Sequence, residues 1–429
     1  MDVEFIRHNF EDSYNGVLTK TKFKLGVRHL QMVYMFVCSL VLGMLRGSNG
    51  VGVLAIADYT RKNDTYVPIH NWDMRIQGTV LSSFLFGYAL ILVPAELYLK
   101  QMADKLILTA VLLINGGLAA AMPTIVNKGG WIAVCNAQFL MGMTQACLTP
   151  VNQKLISNWL PPGEREVFGF IIQGAILIGT IISLPISGLL TESRLSWELI
   201  FYSQAMMTLS MAVIWSLLTG SSPERHQAMG DTEKEFIRET LAGYHQSCRD
   251  LNLQSRPQRD QLSYGNPTVD AKIRTFGIII GLTILPNLVS NWNHLGVIVL
   301  IGTLGLVGLQ FSGFLENHKD MTQNYQGTLL LMSSVVASTL GALVPLVSGL
   351  VIGDDVFNLN RWRIMFMSLA GFYIGCNIVY SAFASSERQE WDGTLKQKFG
   401  YSNDVTNMEL EELSQPKVNN RCLEEDTVV

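Results

Sequence analysis

Ten long apolar blocks limit what this chain can fold into more than any other feature of its sequence. Most reach the length of about 20 apolar residues that a helix needs to cross a bilayer. Backbone groups in the hydrocarbon core must bond within the segment, which favours helices. The blocks lie at 29–57, 77–99, 105–125, 131–155, 166–190, 198–218, 275–291, 294–315, 326–352 and 362–384. The pattern predicts an all-α, multi-pass membrane protein whose main partner is the lipid bilayer.

The composition agrees with a membrane protein and excludes several functions. Charged residues make up 15% and hydrophobic residues 48% of the chain, whereas soluble domains are roughly 25% charged. The net charge of −4 does not indicate nucleic-acid binding. The six cysteines form no CxxC pair and the histidines no HxxxH pair, so we expect neither a metal site nor a disulfide framework. No nucleophile constellation or phosphate-cradling loop indicates an enzyme, and we expect no cofactor beyond sodium or a proton as a coupling ion.

Lysine and arginine residues in the loops predict the orientation. Positive charges collect in the N-terminal segment 1–28 and in the long polar segment 219–273. Cytoplasmic loops carry the excess of these residues, so both segments are expected on the cytoplasmic side. Six blocks, within 29–218, separate the two segments, and about four more follow within 274–384. The acidic tail 385–429 then also lies in the cytoplasm, so both termini are expected there.

Two short motifs lie outside the apolar blocks. Asn63-Asp64-Thr65, between the first two blocks, is an N-glycosylation acceptor pattern. Its loop is expected on the outer side, so we expect Asn63 to carry a glycan. The closing Thr427-Val428-Val429 fits a peptide groove that captures a C-terminal carboxylate. An ordinary disordered end is the alternative.

Six stretches of the sequence resemble one family of membrane proteins. They are WDMRIQGTVLSSFLFGYALILVP (72–94), NWLPPGERE (158–166), GTIISLPISGLL (179–190), GSSPERHQAMGDTEKEFIRETL (220–241), NHKDMTQNYQG (317–327) and RWRIMFMSLAGFYIGCNIVYSAFASSERQEW (361–391). In this order they resemble the anion–cation symporter family of the major facilitator superfamily, which includes sodium/phosphate cotransporters, sialin and vesicular glutamate transporters. The resemblance implies two related helical halves with the substrate site between them. It also implies symport of a small anion with sodium or protons, in the plasma membrane or an endolysosomal or vesicular membrane.

The chain departs from the family pattern in its second half. Family members have twelve spans, with a short basic loop before the ninth. Here residues 268–282 already resemble that loop and the start of the ninth span. We therefore expect a complete six-helix N-terminal half and an incomplete C-terminal half of about four helices, without the seventh and eighth spans.

A second departure lies in the stretch QFLMGMTQACLTPVNQ, residues 138–153. Its glutamines at 138, 145 and 153 are close to whole helical turns apart, so a continuous helix would carry them on one face. In the family pattern these three positions hold an arginine, a glutamate and a histidine. An amide can hydrogen-bond an anion but cannot titrate. Gln138 and Gln145 either line the substrate cavity or make interhelical hydrogen bonds, and for Gln153 a structural role is expected.

Arg46 is the cation that the sequence singles out. It lies inside the first apolar block, at the position of a family arginine, and an arginine within a span indicates a functional site. The alternatives are snorkelling to the interface or pairing with Asp58. Asn49 and Tyr88 are expected to help Arg46 bind substrate; Tyr88 belongs to a motif whose polar Thr-Gln pair is replaced here by apolar residues.

Other residues that match the family pattern are expected to have structural roles. Glu164 and Arg165 should form a corner between the fourth and fifth spans, and Asn317, His318 and Asp320 a turn and helix cap. The remaining matches are prolines: Pro150, Pro161 and Pro162. The sequence as a whole predicts a secondary transporter of an inorganic or organic anion. The alternative is a truncated relative that cannot transport and acts as a regulatory or binding membrane protein.

Overall fold

The computed structural model consists of helices and the segments that connect them. It describes residues 26–59, 64–99, 103–220, 222–223, 229–230, 233–235, 237–238, 277–285, 295–296, 298–303, 305–306, 326–353 and 358–383. The helices in order are α1 (Val27–Ile56), α2 (Met74–Tyr98), α3 (Asp104–Gln145), α4 (Leu148–Trp159), α5 (Pro162–Thr191), α6 (Ser196–Leu218), α7 (Gln326–Ile352) and α8 (Leu359–Phe383). Seven helical stretches of the described chain are long and apolar enough to cross a membrane. The all-α, multi-pass fold class is thereby confirmed.

The long helix α3 is a hairpin of two membrane-crossing arms. Gly130 within it has a φ of 66°, a left-handed conformation that glycine adopts without steric cost. Asn115 Nδ2 donates to Thr144 Oγ1 at 2.9 Å, although a straight helix would hold these residues roughly 43 Å apart. The chain therefore reverses at Gly130, and residues 104–129 and 131–145 form antiparallel arms.

The second arm of α3 does not continue unbroken into α4, as the apolar block 131–155 suggested. α3 ends at Gln145 and α4 begins at Leu148. Pro150 explains the break, because it lacks the N–H that would bond to the carbonyl of Ala146 and its ring crowds that carbonyl. Gln145 therefore lies at a break inside a membrane crossing.

Glycines allow two pairs of helices to approach closely. A Cβ on Gly43 of α1 would collide with the backbone carbonyl of Ile176 in α5. Between α2 and α7, a Cβ on Gly349 would lie 2.6 Å from the carbonyl oxygen of Met74. Small residues at such crossings are typical of helix packing in lipid. The α2–α7 contact joins the N-terminal helices to the C-terminal ones.

Ion pairs and caps gather the start of α1, the start of α5 and part of the central segment at one end of the bundle. Glu233 accepts hydrogen bonds from the backbone N–H groups of Val27 and Arg28, at 3.1 and 3.2 Å. These N–H groups lack partners within the helix, and an acidic side chain is favourable there. The Arg28 side chain pairs with Glu164 at 3.1 Å.

After residue 273 the described chain is more exposed. Helical segments at 277–285 and within 295–306 precede α7 and α8. A small apolar cluster joins the first of these segments to α8 through Ile278, Leu282 and Ala370. Most other apolar side chains of α8 are exposed, as expected of a helix that faces lipid.

Candidate functional site

Arg46 lies well inside the membrane-crossing part of α1, roughly 15 Å from the C-terminal end of this helix. Its Nε donates to Gln145 Oε1 at 2.6 Å. The Gln145 side chain is buried and Arg46 is half-buried. Among the described residues no carboxylate pairs with Arg46, so the pairing with Asp58 that the sequence left open does not occur.

Two aromatic rings of α2 cover the guanidinium group of Arg46. Its central carbon lies 5.8 Å from the ring centre of Phe84 and 5.2 Å from that of Tyr88. These residues are four apart and therefore share one face of α2. Each ring stabilises the cation by about 0.5–2 kcal/mol. The sequence drew attention to Tyr88, and Phe84 adds a second ring.

A chain of amide hydrogen bonds holds Gln145 in one orientation. Asn115 Nδ2 donates to the Val111 carbonyl at 2.8 Å and to Thr144 Oγ1 at 2.9 Å. Asn115 therefore turns Oδ1 towards Gln145, whose Nε2 donates to it at 2.8 Å. The Gln145 amide must then direct its oxygen towards Arg46.

Asn115 and Thr144 complete these hydrogen bonds and were not predicted from the sequence. The available signal was an asparagine in the middle of an apolar helix, in VLLINGGLA. Nothing in the local sequence shows that Asn115 meets Gln145, because their contact depends on the reversal at Gly130.

Asn49 and Gln138 form a second polar pair beside the first. Asn49 lies about one turn beyond Arg46 on α1, and its Nδ2 donates to Gln138 Oε1 at 3.3 Å. Both side chains are at least nine-tenths buried, with 5% and 1% of their surface exposed. Asn49 Oδ1 and Gln138 Nε2 have no further hydrogen-bond partner among the described residues. The pair thus keeps one acceptor and one donor that a ligand or water can use.

The polar residues form a layer between two apolar clusters. One cluster includes Leu42, Leu112 and Leu148, and the other includes Leu45, Ala119 and Met141. On each crossing, the polar residue lies where one cluster gives way to the other: Arg46 on α1, Asn115 on the first arm of α3 and Gln145 on the second. The layer therefore lies in the interior of the helix bundle.

Gln153 does not share the site of the other two glutamines. The break after Gln145 ends the continuous helix on which the single-face prediction depended, and Gln153 is exposed. It lines a separate cavity of about 240 Å³ together with Glu96, Pro150 and Lys154. Placing all three glutamines on one helical face is therefore wrong for Gln153.

The corner between α4 and α5 is held by hydrogen bonds of its own. Pro161 precedes α5 and Pro162 is its first residue. Arg165 donates from Nε to the Leu160 carbonyl at 3.0 Å and from Nη2 to the Ser157 carbonyl at 2.7 Å. These bonds link the start of α5 to the end of α4.

Four residues that the sequence singled out lie outside the described residues. They are the glycosylation candidate and the three residues expected to form a turn and helix cap: Asn63, Asn317, His318 and Asp320. Their roles stay predictions.

Known proteins with similar sequences and structures are membrane transporters. The family model of the Major Facilitator Superfamily matches residues 35–387. A putative inorganic phosphate cotransporter of Drosophila melanogaster is 25% identical over 454 residues, covering 84% of this chain and 86% of that protein. Sialin of Homo sapiens is 23% identical over 390 residues, covering 75% of this chain and 78% of sialin.

The fold also matches solved transporter structures. The inward-open xylose transporter XylE from E. coli aligns with a TM-score of 0.58 at 12% sequence identity. The alignment covers 81% of this chain and 95% of XylE. At this identity the likeness concerns the fold alone. The family model covers most of the chain, and the phosphate cotransporter and sialin relatives confirm the resemblance to the anion–cation symporter family. The chain belongs to the major facilitator superfamily.

Proposed function

We propose that this chain moves a small anion across a membrane and that Arg46 is the cation that binds it. The observation that carries the proposal is the hydrogen bonding of this guanidinium group. Its Nε is bonded to a neutral amide, whereas its two terminal nitrogens make no hydrogen bond to the described residues. A carboxylate or phosphate oxygen pair matches these two parallel N–H groups.

The energetics of a buried charge support an anion as the missing partner. An arginine inside the membrane is costly unless it is paired, and desolvation costs several kcal/mol per ion. Gln145 and the rings of Phe84 and Tyr88 offset part of this cost without cancelling the charge. An arriving anion supplies the opposite charge, so binding gains from both the ion pair and the relief of the unpaired cation.

The neutral amides of Gln138 and Gln145 limit which ion can drive transport. Proton coupling needs a group whose protonation changes when substrate binds, and neither Gln138 nor Gln145 can titrate. We therefore expect transport to be almost independent of an imposed pH gradient. Sodium coupling is compatible with the amide layer, since sodium binding needs no titratable group.

The expected absence of the seventh and eighth spans supports a second candidate function, a membrane protein that binds a partner or anion without transporting it. The alignment with the Drosophila phosphate cotransporter runs over 454 positions but includes only 84% of the residues of this chain. This chain therefore lacks residues that the relative has, in a total number that suffices for two spans of about 20 residues and a loop. The loss of the seventh and eighth spans would remove part of the wall between the halves.

Uptake by purified protein distinguishes the two candidates. The chain is reconstituted in vesicles, and labelled phosphate and organic carboxylates are supplied with and without a sodium gradient. We expect uptake of at least one anion, and its loss in Arg46→Gln. Arg75→Gln is the matched control, because it removes the same charge from an exposed position at the start of α2.

Binding without uptake would support the second candidate. An Arg46→Gln variant that folds and transports normally would contradict both the site and the role of Arg46. As a multi-pass membrane protein, the chain acts within a bilayer. We propose that this bilayer is the plasma membrane or an endolysosomal or vesicular membrane, and that both termini lie in the cytoplasm.

A further inference from the structure

The charge of the site is defined by a single residue. Arg46 is the one charged residue of the ten apolar blocks that does not lie near the end of its block. The polar side chains around it in the described bundle are uncharged. Gln145 bonds to Arg46 and is oriented by Asn115, and Asn49 bonds to Gln138. A bound anion therefore meets one positive charge and several neutral hydrogen-bonding groups.

We propose that the Arg46 site selects singly charged anions and discriminates against doubly charged ones. This inference rests on the proposed function and adds the charge class of the substrate to it. A single carboxylate satisfies the site, whereas a dicarboxylate or a doubly ionised phosphate exceeds its charge.

The reason is that attraction and desolvation depend differently on charge. The attraction of an anion to one arginine rises in proportion to the charge of the anion. The cost of taking an ion out of water rises more steeply than its charge, and this cost already rivals the attraction for single charges. A second negative charge thus adds more cost than attraction, and it leaves the complex with a net charge inside the membrane.

The neutral amides do not replace a second cation. Gln138 Nε2 has no partner among the described residues and can donate to an anion oxygen. Such a bond orients the anion and offsets part of its desolvation, but it adds no opposite charge. The amide layer therefore favours an anion that has polar atoms and only one charge.

Succinate and its mono-amide, succinamate, form a matched pair for the test because they share a carbon skeleton and differ by one charge. The full-length wild-type protein is titrated with each at neutral pH and equal ionic strength, with thermal stabilisation and uptake into vesicles as readouts. We expect succinamate to bind at least tenfold more tightly than succinate. Equal binding, or tighter binding of succinate, overturns the inference while leaving anion transport intact.

Absence of any response to either anion, and to phosphate, overturns both this inference and the proposed function. A variant then tests the cause of the selectivity. Gln138→Arg places a second cation beside Asn49, which lies about one turn along α1 from Arg46, and should shift the preference towards succinate by at least tenfold. Gln138→Met, which adds no charge, should keep the preference for succinamate; a shift of the same size in this control would contradict the charge mechanism.

Discussion

Replacing Gln145 with glutamate should make the affinity of the site for an anion depend on pH, whereas the wild-type affinity should not. Gln145 Oε1 lies 2.6 Å from Arg46 Nε, so the new carboxylate would take the same position and pair with the guanidinium group. An anion that binds the outer edge of Arg46 would then lie roughly 4–7 Å from a fixed negative charge. At an effective dielectric constant near 20, the repulsion amounts to about 2–4 kcal/mol.

This repulsion corresponds to a roughly 30- to 1,000-fold loss of anion affinity at neutral pH. Protonation of the introduced carboxyl removes the negative charge, so affinity in Gln145→Glu should recover as the pH falls. Wild-type affinity for an anion of constant charge should stay level over the same range. The assay is equilibrium titration of the purified protein with the monovalent anion of a strong acid, such as trifluoroacetate, which stays ionised throughout the range.

Gln145→Met is the control for this prediction, because it removes the hydrogen bond to Arg46 without adding charge. It should weaken binding by a smaller factor, with no new pH dependence. Equally tight binding of the anion by Gln145→Glu and the wild type at neutral pH would refute this prediction. The same pH dependence in both proteins would refute it as well.

The remaining predictions concern the support of the site and the topology. Asn115→Leu leaves the buried Gln145 amide without its acceptor, so we expect a loss of about 1–3 kcal/mol in stability. The loss should appear as a lower melting temperature in detergent and as weaker anion binding. Unchanged values would show that these amide hydrogen bonds do not hold the site. Gly179→Ala places a Cβ against the backbone of α1, so we expect about 1–3 kcal/mol of destabilisation. The control Gly188→Ala has nothing within 4 Å of its Cβ and should fold normally. Equal melting temperatures of the two variants would contradict the close packing. Asn63→Gln should abolish an endoglycosidase-sensitive shift in gel mobility of the protein made in glycosylating cells, and a wild-type chain without that shift would remove the support for an outer loop.

The sequence alone predicted the helices well because the bilayer fixes their length. The apolar block 326–352 coincides with α7, and the block 198–218 differs from α6 by two residues at its start. Hydrophobicity sets these bounds without any knowledge of tertiary contacts. The interruption between α3 and α4 was not predicted, since the block stays apolar through Pro150 and only the backbone bonding shows the break.

The candidate site could be predicted only in part. Arg46 and Gln145 were identified from their unusual positions in apolar helices, and their direct hydrogen bond agrees with a shared site. Asn115 and Phe84 escaped notice because each reaches the site through contacts between distant segments. The position of Asn115 depends on the register of the two arms that meet at Gly130, and no local pattern encodes that register.

The central claim is that Arg46 supplies the charge that binds the anion, and equilibrium binding tests it without depending on transport. Purified wild-type, Arg46→Gln and Arg75→Gln proteins are titrated with the same panel of monovalent anions at constant ionic strength. We expect saturable binding by the wild type and Arg75→Gln, and a loss of at least tenfold in affinity for Arg46→Gln. Equal affinity in all three proteins would contradict the account.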